Sequence, residues 1–164
     1  EEGMKGLKNI NVIQAINEFI LSGKQVLGIC LGMQLMLENS YENGFHCGMG
    51  LIPGSVKKIH QKDENGTRKT PHIGWSALQN ITRNDKTWEK TILRNTKLGE
   101  FVYFVHTFMA MPKSSKNIIA HSEYIGLNII AAVKKDNITG LQFHPENSGK
   151  VGLKILSEFV NGVF

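Results

Sequence analysis

Residues 25–32, Gln25-Val26-Leu27-Gly28-Ile29-Cys30-Leu31-Gly32, carry the clearest structural signal in the chain. The apolar run from Gln25 to Ile29 is too short for a helix and reads as a buried strand. Helical spacing resumes after the Cys30-Leu31-Gly32 turn and continues to about Asn39. Upstream, Val12, Ala15, Ile16 and Phe19 share one helical face between Asn11 and Leu21, and Ser22-Gly23 closes that helix. Helix, buried strand, tight turn and helix in succession point to an α/β domain.

Downstream the pattern changes. Asn65-Gly66 is a hairpin turn signal, so Ser55 to Gln61 and Thr67 to His72 are expected to form an antiparallel arm. Phe101 to His106, Ile118 to Tyr124 and Asn128 to Val133 are rich in β-branched and aromatic residues and read as strands, the last two around Gly126. Thr139 to Phe143 leads as a further strand into His144-Pro145-Glu146. Beyond Ser148-Gly149, the residues Gly152, Ile155, Leu156 and Phe159 return to one face, so a final helix packs on the sheet. Glu1-Glu2-Gly3 reads as a turn feeding the first helix. The expected fold is one α/β domain over residues 1–164, a three-layer open mixed sheet flanked by helices. Such sheets normally begin with a βαβ unit, so the sequence is expected to start inside the domain.

At 164 residues, 41% hydrophobic and 20% charged, the chain can bury a substantial core. No apolar run approaches the roughly 20 residues of a bilayer-spanning helix, and no signal-peptide pattern opens the chain. A cytoplasmic protein without membrane contact is expected. The 19 basic and 14 acidic residues leave +5. Their one local concentration, Lys57, Lys58, Lys62, Arg68 and Lys69, reads as a solvated face rather than a nucleic-acid surface. Two cysteines, Cys30 and Cys47, exclude a disulfide framework. His46 beside Cys47 lacks the further ligands of a metal site, and no metal or cofactor is expected.

Gly28-Ile29-Cys30-Leu31-Gly32 has the form Gly-x-nucleophile-x-Gly, in which glycines permit a strained strand-to-helix turn that lifts the nucleophile clear of the sheet. The N-terminus of the following helix would favour thiolate over thiol. Taken alone, Cys30 could equally be a small buried hydrophobe. A nucleophilic thiolate needs a proton carrier, commonly an imidazole held by a carboxylate, and His144-Pro145-Glu146 offers both within three residues. Cys30 and His144 each stand where a strand gives way to a turn, the usual place of chemistry in open α/β sheets. His106 could stand near such a site. His46, His60, His72 and His121 are expected to be surface or satisfied core histidines.

Five segments occur in order: Gly28-Ile-Cys-Leu-Gly-Met-Gln34, Gly50-Leu-Ile-Pro-Gly54, Pro71-His-Ile-Gly-Trp75, Tyr103-Phe-Val-His-Thr107 and Gln142-Phe-His-Pro-Glu-Asn-Ser-Gly149. Together they resemble the class I (triad) glutamine amidotransferases, and among them the glutaminase subunits of imidazole glycerol phosphate synthases, over nearly the whole chain. The resemblance implies hydrolysis of L-glutamine to glutamate and ammonia. Cys30 would attack the side-chain amide to give a glutamyl thioester. His144 would protonate the departing nitrogen and then activate water, oriented by Glu146. Gln34, Leu31, Thr107 and Phe108 would contact substrate, with the Leu31 N–H as an oxyanion donor.

The same resemblance places Trp75, Tyr103 and Asn147 at the partner interface and ammonia route. It implies a heterodimer with a TIM-barrel cyclase subunit that makes imidazole glycerol phosphate in histidine biosynthesis. The family begins with two strands and a Pro-Gly-x-Gly oxyanion loop, for which no match stands at or after Glu1. Asn147 stands where the histidine-pathway subunit usually has lysine, and Ser76 where it commonly has asparagine. These changes leave open a different synthase, such as one amidating a surface-sugar precursor. A fold retained as a catalytically incomplete interaction domain is the other alternative.

Overall fold

The structure, a computed structural model, describes residues 2–9, 12–63, 66–81 and 88–162. Helices α1 (Glu2–Asn9) and α2 (Val12–Leu21) precede strand β1 (Val26–Ile29), followed by α3 (Leu31–Leu35), β2 (Leu37–Ser40), β3 (His46–Cys47) and β4 (Ile52–Lys58). Two short strands, β5 (Lys62–Asp63) and β6 (Gly66–Thr67), lead to β7 (His72–Ala77). The second half holds β8 (Phe101–His106), β9 (Phe108–Pro112), β10 (Ile118–Tyr124), β11 (Leu127–Lys135), β12 (Ile138–Leu141) and α4 (Gly149–Asn161).

The central sheet has the order β1-β12-β11-β10, with β1 and β12 parallel and the remaining pairs antiparallel. Every residue of β12 is buried, as befits a strand covered on both faces. Side chains along it alternate between two cores. Leu141, with Ile129 and Ala131 of β11, packs against Val102 and Phe104 of β8 and Ile155 of α4. Ile138 and Val133 instead meet Met33 and Met36 at α3, together with Leu37, Ile52 and Val56 of a second sheet, β3-β2-β4-β9. A mixed sheet between two covering layers is the α/β architecture expected from the sequence. β7 and β8 form their own antiparallel ribbon.

The strands at 101–106 and 118–124 have the expected bounds, and those at 128–133 and 139–143 fall on β11 and β12. Other expectations are corrected. The helix after Cys30 ends at Leu35 instead of continuing to Asn39, because Leu37 is fully buried in parallel register with Ile52. Tertiary pairing here overrides good local helix propensity. The long hairpin arm is absent: β4 pairs with β9 and β7 with β8, leaving only Lys62–Asp63 against Gly66–Thr67. Asn65 lies outside the described residues, as does Asn11 at the expected start of α2. The N-terminal residues from Glu2 are helical, not a turn, with Met4 buried. Arg68 is buried rather than part of a solvated face, its Nε donating to the Tyr124 carbonyl at 3.2 Å. Among the described residues no helix is long and apolar enough to cross a membrane.

Candidate active site

Parallel pairing of β1 with β12 sets Ile29 opposite Leu141, so both strands end at the same level. The Cys30 N–H then donates to the Leu141 carbonyl at 2.7 Å, tying the elbow to the neighbouring strand. Cys30 has φ +50° and ψ −104°. A non-glycine residue held there costs on the order of 1–3 kcal/mol, which the surrounding packing must offset. Gly28 lets α3 start this close to β1: a Cβ on it would stand 2.7 Å from the Gly32 carbonyl carbon and 2.8 Å from the Met33 nitrogen.

β8 brings the second half of the site alongside. Its edge turned away from β7 meets Cys30, whose thiol lies 3.9 Å from the Val105 carbonyl oxygen. The same edge holds the His144 N–H, which donates to the Tyr103 carbonyl at 2.9 Å. Carbonyls two residues apart on a strand are about 7 Å apart, which makes the sulfur and the imidazole-bearing turn neighbours. Ser148, buried, locks that turn: its hydroxyl accepts from the Tyr103 N–H at 2.9 Å and donates to the His144 carbonyl at 2.6 Å. His144 Nδ1 stands 2.7 Å from Glu146 Oε1. A carboxylate accepts, so Nδ1 carries the hydrogen and Nε2 is left as a base.

The thiol itself makes no hydrogen bond to His144 among the described contacts. It meets the Leu31 N–H, the Gln142 amide at 3.7 Å and the Val105 carbonyl. Burial pushes the Cys30 thiol up from its ordinary value, outweighing the Leu31 N–H, while the charges of Glu146 and Glu42 push the same way. The expected thiolate preference is therefore overturned. With five residues, α3 is too short a dipole to outweigh that desolvation.

Cys30 opens into a pocket of about 210 Å³ that is also lined by Leu31, Gln34, Thr107 and Phe108, the residues expected at the substrate, and by Glu42, Val105 and His106. Gln34 Nε2 donates to the Phe108 carbonyl at 3.0 Å and to Gln142 Oε1 at 3.1 Å. Glu42 and Gln142 escaped the sequence reading. Gln142 is fully buried, and a buried amide needs partners, but a strand of apolar neighbours hides that signal. Glu42 follows β2, whose residues have helical spacing in the sequence, so nothing there points to Cys30. Trp75 and Tyr103 lie off the pocket, ring against ring edge-on at 5.9 Å on the outer face of the β7–β8 ribbon. Ile73, Phe101 and Val105 are exposed beside them. Asn147 is exposed in the turn after Glu146, its N–H donating to the His144 carbonyl at 3.1 Å. Among the described residues no group of three or more His, Cys, Asp or Glu could hold a metal ion.

A half-buried thiol on a strained elbow, with a carboxylate-held imidazole on the neighbouring turn, is equipped for acyl transfer through sulfur. Residues 5–162 match the family "Glutamine amidotransferase class-I", to which the chain belongs. Within it, the chain is 49% identical over 161 residues to "Imidazole glycerol phosphate synthase subunit HisH 1" of Legionella pneumophila (strain Lens), covering 98% of this chain and 75% of that relative. It is 39% identical over 161 residues to subunit HisH of Aquifex aeolicus (strain VF5), covering 96% and 70%. A crystal structure of a glutamine amidotransferase from Thermotoga maritima superposes with a TM-score of 0.57 at 19% identity, covering 98% of this chain and 57% of that one; this likeness is one of fold.

Proposed function

We propose that this chain is the glutaminase subunit of an imidazole glycerol phosphate synthase, releasing ammonia from L-glutamine for a cyclase subunit in cytoplasmic histidine biosynthesis. The observation that carries the reading is the anchoring of Cys30 and the His144 turn on one edge of β8. In this reading the substrate's side-chain amide reaches Cys30. Its ammonium meets Glu42, the carboxylate that lines the pocket. Gln34 has both amide hydrogens engaged and offers its oxygen to a substrate N–H.

As the sulfur–carbon bond forms, the thiol proton passes to His144 Nε2 and the new oxyanion is met by the Leu31 N–H. Collapse of the tetrahedral adduct expels ammonia, which takes its proton from the imidazolium. His144 then deprotonates the water that hydrolyses the thioester, with Glu146 holding the tautomer throughout. Because burial favours the protonated thiol, the nucleophile ionises during attack instead of standing ready beforehand. The exposed side chains of Ile73, Trp75 and Phe101, with Tyr103, form an apolar face suited to the cyclase, since isolated apolar patches of this kind mark contact surfaces. A sealed passage between subunits keeps ammonia from becoming ammonium, which has no lone pair to attack with.

Glutamate release, measured with the cyclase present, tests the assignment. Cys30→Ala is expected to lower turnover on the order of 10⁴-fold or more. Retained turnover, or recovery of only a sugar-modifying synthase in a pull-down, overturns it. The second outcome would fit Asn147 and Ser76, both close to the proposed docking face.

A further inference from the structure

A chain of hydrogen bonds runs beneath the pocket that the reaction does not use. Ser76 Oγ lies 3.1 Å from His72 Nε2, His72 Nδ1 lies 3.1 Å from His106 Nε2, and His106 Nδ1 lies 2.8 Å from the Phe108 carbonyl. Ser76 is four residues beyond His72, about 13 Å along an extended strand. Gly74 between them has φ +140°, a backbone conformation that favours glycine, and the hydroxyl stands within reach of the ring. Both imidazoles are buried, His72 stacked on Tyr124 and Phe104 at ring distances of 4.0 and 4.9 Å.

With both rings neutral, every proton in this chain is determined. A carbonyl only accepts, so His106 Nδ1 carries the hydrogen and its Nε2 accepts. His72 must then donate from Nδ1 and accept at Nε2 from the Ser76 hydroxyl. Burial holds both imidazoles down at about 4, so at pH 7 each ring is neutral and carries a single hydrogen. The end of the chain is shared with the site: the Phe108 carbonyl also accepts from Gln34 Nε2, whose amide reaches Gln142 and, through it, the Cys30 sulfur.

We propose that His72 and His106 are positioning residues for the glutamine pocket: their one-way hydrogen-bond chain from Ser76 aims the Phe108 carbonyl, and with it the Gln34 carboxamide, at the substrate. This rests on the glutaminase reading above. Their effect falls on substrate binding, not on the sulfur chemistry.

The test uses the chloroketone analogue of glutamine. It alkylates Cys30 as the sulfur–carbon bond forms, chloride leaves and the thiol proton is lost, so that KI and kinact are read separately. His72→Gln keeps a donor and an acceptor, and its KI is expected to stay within about threefold of wild type. His72→Phe keeps the stacking but not the polarity, and its KI is expected to rise roughly tenfold with kinact little changed, the effect of stranding one buried acceptor. A packing role gives the reverse order, and the reverse order or equal KI values overturn the proposal. Nitrogen-15 spectra of histidine-labelled wild type at pH 7 decide the matter even if a variant does not fold: both rings should be neutral with hydrogen on Nδ1, and an Nε2–H or cationic His106 overturns it. Wild-type alkylation that never saturates with the analogue is a different failure, that of the glutaminase reading, and leaves the spectra to judge the chain.

Discussion

At Cys30 the demands of burial and of reactivity oppose each other. Burial holds the thiol above its ordinary value of 9.0. The folded chain thus binds this proton more tightly than the unfolded chain. The resulting stabilisation is complete below pH 9.0 and is lost as pH rises through the higher folded value. Alkylation of Cys30 by iodoacetamide in the unliganded protein should therefore still be accelerating above pH 9.0, and a plateau near neutrality would reveal a preformed thiolate. Cys30, His144 and Glu146 stand out in the sequence because the chemistry proposed for them needs few residue types in short, recognisable settings. Glu42, Gln142 and Ser148 do not, because each acquires its role only from where a strand ends or a turn closes.

Elements were legible where composition alone determines them. β8, β10 and β11 are β-branched and aromatic, and α4 keeps its apolar stripe. α3 and the hairpin arm were misread because long-range partners decide them: Leu37 is claimed by Ile52, and β4 by β9. α4 also bears on the chemistry through Gly152. A Cβ there would stand 2.7 Å from the Pro145 carbonyl carbon and 2.8 Å from the Ser148 Cβ. Gly152→Ala is expected to destabilise the fold by about 1–3 kcal/mol, read from urea unfolding. Glutamine turnover should fall with it, because the helix must move off the turn that presents His144. Unchanged stability would mean that this contact is looser than it stands here.

On the scale of the whole molecule, the Cys30 pocket and the exposed apolar face meet at one ribbon. Trp75 and Tyr103 cover its outside while Val102, Phe104 and His106 point inward. Trp75→Ala is expected to weaken association with the proposed cyclase partner roughly thirtyfold, as removal of a central aromatic anchor does. Titration of the labelled subunit measures this, and an unchanged Kd would move the docking face elsewhere. The fold class was legible at this scale; the split into two sheets and a ribbon was not, since strand order is set by pairings far apart in the chain.

β8 is, finally, a gauge block for the reaction. In the proposed mechanism the two groups that exchange a proton are both referenced to its backbone, and peptide geometry does not stretch. Connections elsewhere can lengthen or shorten without disturbing the calibration, whereas deleting one residue between Tyr103 and Val105 would halve the interval and turn one of the two reference carbonyls to the opposite side.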